Sequence, residues 1–141
     1  MLSPISRRLL EAAHPELQRL ANAVAAKGVA FRVICSYRGK RDQERAFATG
    51  MSKVRWGQSA HNYVPSIAID VVPGWSGPIK WSDLAAFDAL GRAFVATAKE
   101  LNIPIRWGAD WDRDGQTNDE RFVDRPHIEL HPWRSYAGEK A

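Results

Sequence analysis

Apolar residues recur at three- and four-residue steps through Leu9, Leu10, Ala13, Leu17, Leu20, Ala21 and Val24, which predicts helix over residues 5–27. Gly28 supplies its stop, and Pro15 breaks or kinks it near the middle. Val29 to Cys35 is rich in β-branched and aromatic side chains and predicts a strand. A turn at Ser36-Tyr37-Arg38-Gly39 follows, and Lys40 to Thr49 returns to helical spacing. Gly50 to Ser66 keeps neither period and reads as a long loop. Ile67 to Val72, bounded by Pro65 and by Pro73-Gly74, predicts a central strand. Ser82-Asp83 then caps a helix running to about Leu101, with Leu84, Phe87, Leu90, Phe94, Val95 and Ala98 on one face. Ile103 to Trp107 and His127 to Leu130 predict two more short strands, and the stretch HPWRSYAGEKA folds back through Trp133 and Tyr136.

Strands and helices mixed in this order, without an internal repeat or linker, predict one α+β domain over residues 1–141. Apolar residues make up 45% and charged residues 26%, a balance that excludes a disordered tail, and no apolar run is long enough for a membrane span. The net charge of +4 favours encounter with polyanions, either nucleic acid or an anionic wall polymer. Nucleic-acid signatures are missing: there is no paired zinc-finger spacing, no aromatic-basic sheet motif and no glycine-rich phosphate loop. The segment MLSPISRRLL places charge inside a short apolar stretch with no cleavage pattern after it, so the expectation is a protein without a secretory signal. Cys35, the single cysteine, cannot form an internal disulfide, and its apolar neighbours VAFRVIC predict a buried structural thiol. A metal site is then expected to use His, Asp and Glu.

Of the four histidines, His61, His127 and His131 lie where strands end and acidic residues are in reach, whereas His14 beside Pro15 reads as solvated. Ser59-Ala60-His61 followed by Ala68-Ile69-Asp70 places an imidazole and a carboxylate on either side of one connection. Asp124-Arg125-Pro126-His127-Ile128-Glu129 adds a second imidazole and two acids. Two imidazoles and one carboxylate satisfy three corners of a tetrahedral zinc and leave the fourth for water, the pattern of a catalytic site. A further acid must then move that water's proton, and Asp124, three residues before His127, is placed for it. Glu129 is the other candidate base, or else the hydrogen-bond partner that fixes a ligand tautomer. His131 reads as an outer or surface residue.

These motifs resemble the D-alanyl-D-alanine carboxypeptidase and VanY-like zinc peptidases, and in size the chain is similar to the phage endolysins among them, the L-alanyl-D-glutamate peptidases. The resemblance runs through Cys35-Ser36-Tyr37-Arg38, Gln43, the His61 and Asp70 segment, Trp107-Gly108-Ala109-Asp110-Trp111, and Asp124 to Glu129. It implies a small antiparallel sheet flanked by helices, with His61, Asp70 and His127 as zinc ligands, Asp124 as general base and acid, and Arg38 as the cation facing substrate or oxyanion. The implied reaction is hydrolysis of an amide in the peptidoglycan stem peptide by a monomer that binds neither membrane nor nucleic acid. An L-alanyl-D-glutamate endopeptidase is the first expectation and a D,D-carboxypeptidase the second. A phage or prophage endolysin of this kind is made in the bacterial cytoplasm and reaches the wall through a holin pore. Two other classes compete: a catalytically inactive wall-binding relative, and a basic nucleic-acid module whose histidines are incidental. The chain departs from the family between its first His and the Asp, where eight residues replace a shorter connection that carries a glycine, and Pro65-Ser66 occupy the glycine's region.

Asp110, Asp112 and Asp114 with Gly115 repeat the first half of a calcium loop, acidic at positions one, three and five with glycine at six. Position twelve is Arg121 rather than Glu, so Asp119 or Glu120 would have to supply the last ligand in a shortened loop, which some phage endolysins of the family carry in the same place. The alternative is a plain acidic turn. Trp56, Trp75 and Trp81 are divided between core packing and a groove wall.

Overall fold

The computed structural model describes residues 1–118, 120 and 122–140. The helix expected over residues 5–27 is two helices, α1 (Pro4–Glu11) and α2 (Pro15–Ala26). Pro15 opens the second helix at its first position instead of kinking one rod, and the His14 side chain caps it by accepting from the Glu16 N–H at 3.1 Å. His14 is therefore a half-buried helix cap, with its ring edge-on to Tyr136, and not the solvated residue the sequence predicts. Strand β1 (Phe31–Cys35) and helix α3 (Lys40–Ala48) follow within two residues of expectation. The long connection contains a 3-10 turn at Ala60–Asn62 and a short strand, β2 (Tyr63–Val64). Strand β3 (Ala68–Pro73) and helix α4 (Leu84–Leu101) come next, the helix capped by the Asp83 carboxylate on the Ala86 N–H. Strands β4 (Ile105–Trp107), β5 (His127–Leu130) and β6 (Glu139–Lys140) complete the chain.

The main sheet has four antiparallel strands in the order β1-β3-β5-β4, and β2 with β6 forms a separate two-stranded ribbon. That ribbon ties down the C-terminal stretch, whose Trp133 and Tyr136 rest against the core as expected. Successive strand residues face opposite sides of a sheet. In β3 and β5, Ile69, Val71, Ile128 and Leu130 therefore enter the core, where α4 packs on the sheet, while Asp70, His127 and Glu129 belong to the other face. The register puts Asp70 beside His127 on one flank and beside Cys35 on the other.

Gly91 marks the closest approach of α4 to the sheet, because a Cβ there would run into the indole of Trp107. Trp107 is 2% exposed, and its Nε1 donates to the Arg125 carbonyl at 2.8 Å, so the close approach secures the segment that leads into β5. Helix propensity alone favours alanine over glycine by about 1 kcal/mol, whereas forcing a methyl into a filled core costs about 1–3 kcal/mol. Gly91→Ala is expected to lower the unfolding free energy in a urea titration despite the better helix former.

Candidate metal centre and catalytic groove

The two histidines and the aspartate meet at the groove face of the sheet. His61 Nε2 lies 3.2 Å from Asp70 Oδ1, and His127 Nδ1 lies 3.4 Å from the same oxygen. Zinc bonds of about 2.0–2.2 Å in a tetrahedron separate neighbouring donors by about 3.3 Å, a spacing that the two edges through Asp70 Oδ1 match. Each imidazole is committed to a tautomer by its other nitrogen. His61 Nδ1 sits 2.6 Å from the Ser36 carbonyl, to which it donates, which leaves Nε2 as the donor atom toward Asp70. His127 Nε2 donates to Glu129 Oε1 at 2.7 Å, which leaves Nδ1 toward Asp70. Such outer hydrogen bonds orient imidazoles for metal binding. Glu129 is in turn held through Oε2 by Arg106 Nε at 3.2 Å and Nη2 at 2.9 Å. Glu129 is thus hydrogen-bonded to an imidazole, which is the second of the two arrangements the sequence left open for it.

Beside His61 and Asp70, it is Cys35 that completes a group with all donor atoms within 4.8 Å of one another, a group that could hold a metal ion. Cys35 is half-buried rather than sealed in the core, and its Sγ contacts His61 Nδ1 at 3.8 Å, the nitrogen already turned to Ser36. The sequence predicts only a structural thiol there, since nothing local announces that the bulge between Val33 and Cys35 brings the residue beside Asp70.

The lengthened connection does not separate His61 from Asp70. Its extra residues leave the site as β2 and return through Pro65. The base is closed by the Ile67 N–H on the Ala60 carbonyl at 3.0 Å, the Ser66 N–H on Ala12 at 2.8 Å, and Ser66 Oγ between the carbonyls of Ser36 and Ala68 at 2.8 and 2.7 Å. A second network sets Arg38. Its N–H donates to the His61 carbonyl at 2.7 Å, Nη1 reaches Gln43 Oε1 at 3.2 Å, and Nη2 faces Asp70 Oδ2 at 3.9 Å. Asn62 and Gln43 are both fully buried, and Asn62 Nδ2 bridges the Arg38 carbonyl and Gln43 Oε1 at 3.1 Å each. Sequence reasoning missed Asn62 altogether, because a polar residue after His61 gives no local sign of burial.

Asp124 lines the same groove, a cavity of about 230 Å³ shared with Arg38, Ser59, His61, Arg106, Trp111 and His127. Its backbone is fixed by the Asp124 N–H on the Gly108 carbonyl and the Gly108 N–H on the His127 carbonyl, each at 2.8 Å. A Cβ on Gly108 would run into the Asp124 carbonyl oxygen, so glycine is required for this approach. Trp111 tilts over the His127 ring with centroids 5.4 Å apart. His131 stays outside the groove lining.

Burial works against charge on both histidines, yet the Asp70 carboxylate overrules it: His61 is raised well above its ordinary pKa and His127 to about 9, the latter helped by Glu129. Asp70 is also opposed by burial, and the two imidazoles hold it far below the carboxylate range. Asp124 goes the other way. Burial raises its carboxyl, His127 partly offsets this, and the like charge of Asp70 adds to it.

The three acids of the predicted calcium loop do come together. Asp110, Asp112 and Asp114 place oxygens within 4.8 Å of one another, around a turn with positive φ at Arg113 and Gly115. Asp110 accepts from the N–H groups of Asp114 at 3.1 Å and Gly115 at 2.8 Å, and burial with the two neighbouring carboxyls raises its pKa. Glu120 Oε1 accepts from the Asp112 N–H at 3.3 Å, while Asp119 and Arg121 lie outside the described residues. No helix among the described residues is long and apolar enough to cross a membrane. Trp75 packs on Phe31, whereas Trp81 is 56% exposed and stacks on Phe87.

The chain is 34% identical over 129 residues to the L-alanyl-D-glutamate peptidase of Escherichia phage T5, covering 89% of this chain and 93% of that one. The crystal structure of the Serratia marcescens L-Ala D-Glu endopeptidase ChiX superposes with a TM-score of 0.71 at 25% identity, over 94% of this chain and 90% of that one. The sequence profile of the phage L-alanyl-D-glutamate peptidase family matches residues 1–131, and the chain belongs to that family.

Proposed function

We propose that the protein is a zinc endopeptidase that cuts the peptidoglycan stem peptide between L-alanine and D-glutamate, as a phage or prophage endolysin. The observation that carries the reading is the convergence of His61 Nε2 and His127 Nδ1 on Asp70 Oδ1, at 3.2 and 3.4 Å, with both outer nitrogens already bonded. Family membership supplies the substrate class. Zinc held by His61, Asp70 and His127 would supply a Lewis acid for the scissile carbonyl and lower the pKa of an attacking water. Asp124, whose raised pKa suits a group that both takes and gives a proton, accepts the water's proton and passes it to the leaving amine. Arg38 faces the carbonyl oxygen and stabilises the charge that develops there. The excess positive charge of +4 assists approach to an anionic wall. Endolysin use implies synthesis in the host cytoplasm, release through a holin pore and action as a monomer on the wall.

The acidic turn at Asp110, Asp112 and Asp114 is read as a calcium site that orders the Asp124 segment, since the turn is joined to it through Trp111 Nε1 on the Phe122 carbonyl at 2.6 Å.

Three tests follow from this reading. With purified sacculi, His127→Ala is expected to lose zinc and lysis together, and Asp124→Asn to keep zinc while losing about 10²–10⁴-fold in rate; mass spectrometry should find the new ends between L-Ala and D-Glu, and new ends at a terminal D-Ala would establish the carboxypeptidase instead. A chelator that takes calcium but spares zinc is expected to slow lysis, and unchanged lysis would reduce the acidic turn to a surface feature. The third test uses pH. Raised imidazole pKa values stabilise the metal-free fold fully below about 6.5, and that contribution is lost as pH rises through about 9 for His127. A metal must displace those protons, so calorimetry at pH 7 in buffers of different ionisation heat should find about two protons released per zinc.

A further inference from the structure

Among the described residues, the lysine and arginine side chains that line the groove are Arg38, Lys53 and Arg106. Arg38 is engaged by Gln43 and Asp70, and Arg106 by Glu129 with its guanidinium over the Trp111 ring at 5.1 Å. Lys53 differs: its ammonium lies 5.6 Å from the centroid of the Phe122 ring, and no carboxylate answers it among the described residues. Phe122 stacks on Trp111 at 6.5 Å and 16°, and Trp111 leans on His127. An aromatic wall therefore runs from the proposed ligand His127 to a cation that has no counter-charge among the described residues. Lys53 is exposed, so water and the ring face share its ammonium, and it is open to an anion arriving with substrate.

Resting on the peptidase reading above, we infer that Lys53 receives a free carboxylate of the stem peptide on the glutamate side of the scissile bond. The chemistry of the substrate makes this side the one that matches. Toward the glycan, the L-alanine nitrogen is amide-bound to a lactyl group and carries no charge. Past the scissile bond, D-glutamate continues through its γ-carboxyl and keeps its α-carboxylate, and a diaminopimelate at the third position brings another. Lys53 thus fixes the direction of the peptide, with glutamate toward Phe122 and alanine away from it. Either carboxylate is a source of the same chemistry.

The test compares wild type, Lys53→Gln and Lys53→Arg on three peptides whose C-terminal main-chain carboxyl is amidated: N-acetyl-L-Ala-γ-D-Glu-diaminopimelate, its D-glutamate α-amide, and the form with L-lysine third. On the first, Lys53→Gln is expected to lose about three- to tenfold in kcat/KM, carried by KM, as for a solvent-accessible ion pair strengthened by the groove, and Lys53→Arg to recover most of it. Removing the responsible carboxylate should cost wild type the same factor and leave Lys53→Gln unaffected, which identifies whether the glutamate or the diaminopimelate supplies it. An equal loss by Lys53→Gln on all three peptides, or no loss on any, overturns the assignment while the peptidase reading stands. If wild type cuts none of the three, both fall.

Discussion

The structure depends on one shared acceptor, Asp70 Oδ1, toward which two imidazoles turn from different elements. A carboxylate with two imidazoles and a guanidinium around it is stable in a buried site only while its charge is answered. Without a metal the answer is protonation, and both histidines bind protons more tightly than in water. A divalent ion would replace those protons at the same atoms. The sheet register that puts Asp70 opposite His127 is therefore the arrangement to which the surrounding elements are fitted.

Around that acceptor, a set of buried polar groups holds the surrounding side chains in place. Ser36 and Glu129 orient the two imidazoles, and Arg106 balances Glu129. Asn62 and Gln43 set the Arg38 loop, and Ser66 closes the connection that carries His61. On the far side, Gly91 admits Trp107, which holds Arg125, while Gly108 admits the Asp124 backbone. Two glycines and one tryptophan thus carry the constraint from the core into the groove, where, on the role proposed for Asp124, a displacement of about 1 Å costs rate.

The elements legible in the sequence are those with a sustained period. The helix capped by Asp83 and the strands containing Asp70 and His127 lie within two residues of where spacing puts them. What spacing cannot convey is the tertiary neighbour. Pro15 reads equally as a kink or as the first residue of a new helix, and His14 shows its capping role only once Ser66 is seen to accept its N–H. Cys35 looks like a core thiol because the bulge that turns it toward His61 has no local signature. Eight residues between His61 and Asp70 look too many until the excess is seen to leave as a ribbon paired with the C-terminal strand. The His, Asp and Glu residues proposed for the centre stand out in the sequence because few residue types can do their chemistry, whereas Asn62 and Phe122 act through geometry that only the fold supplies.

The central claim is that one metal sits on His61, Asp70 and His127 with Cys35 outside the coordination shell. X-ray absorption at the zinc edge of the loaded protein tests it directly. The account predicts only nitrogen and oxygen neighbours at about 2.0–2.2 Å with the outer scattering of two imidazoles, while a sulfur at about 2.3 Å would place Cys35 on the metal and contradict it.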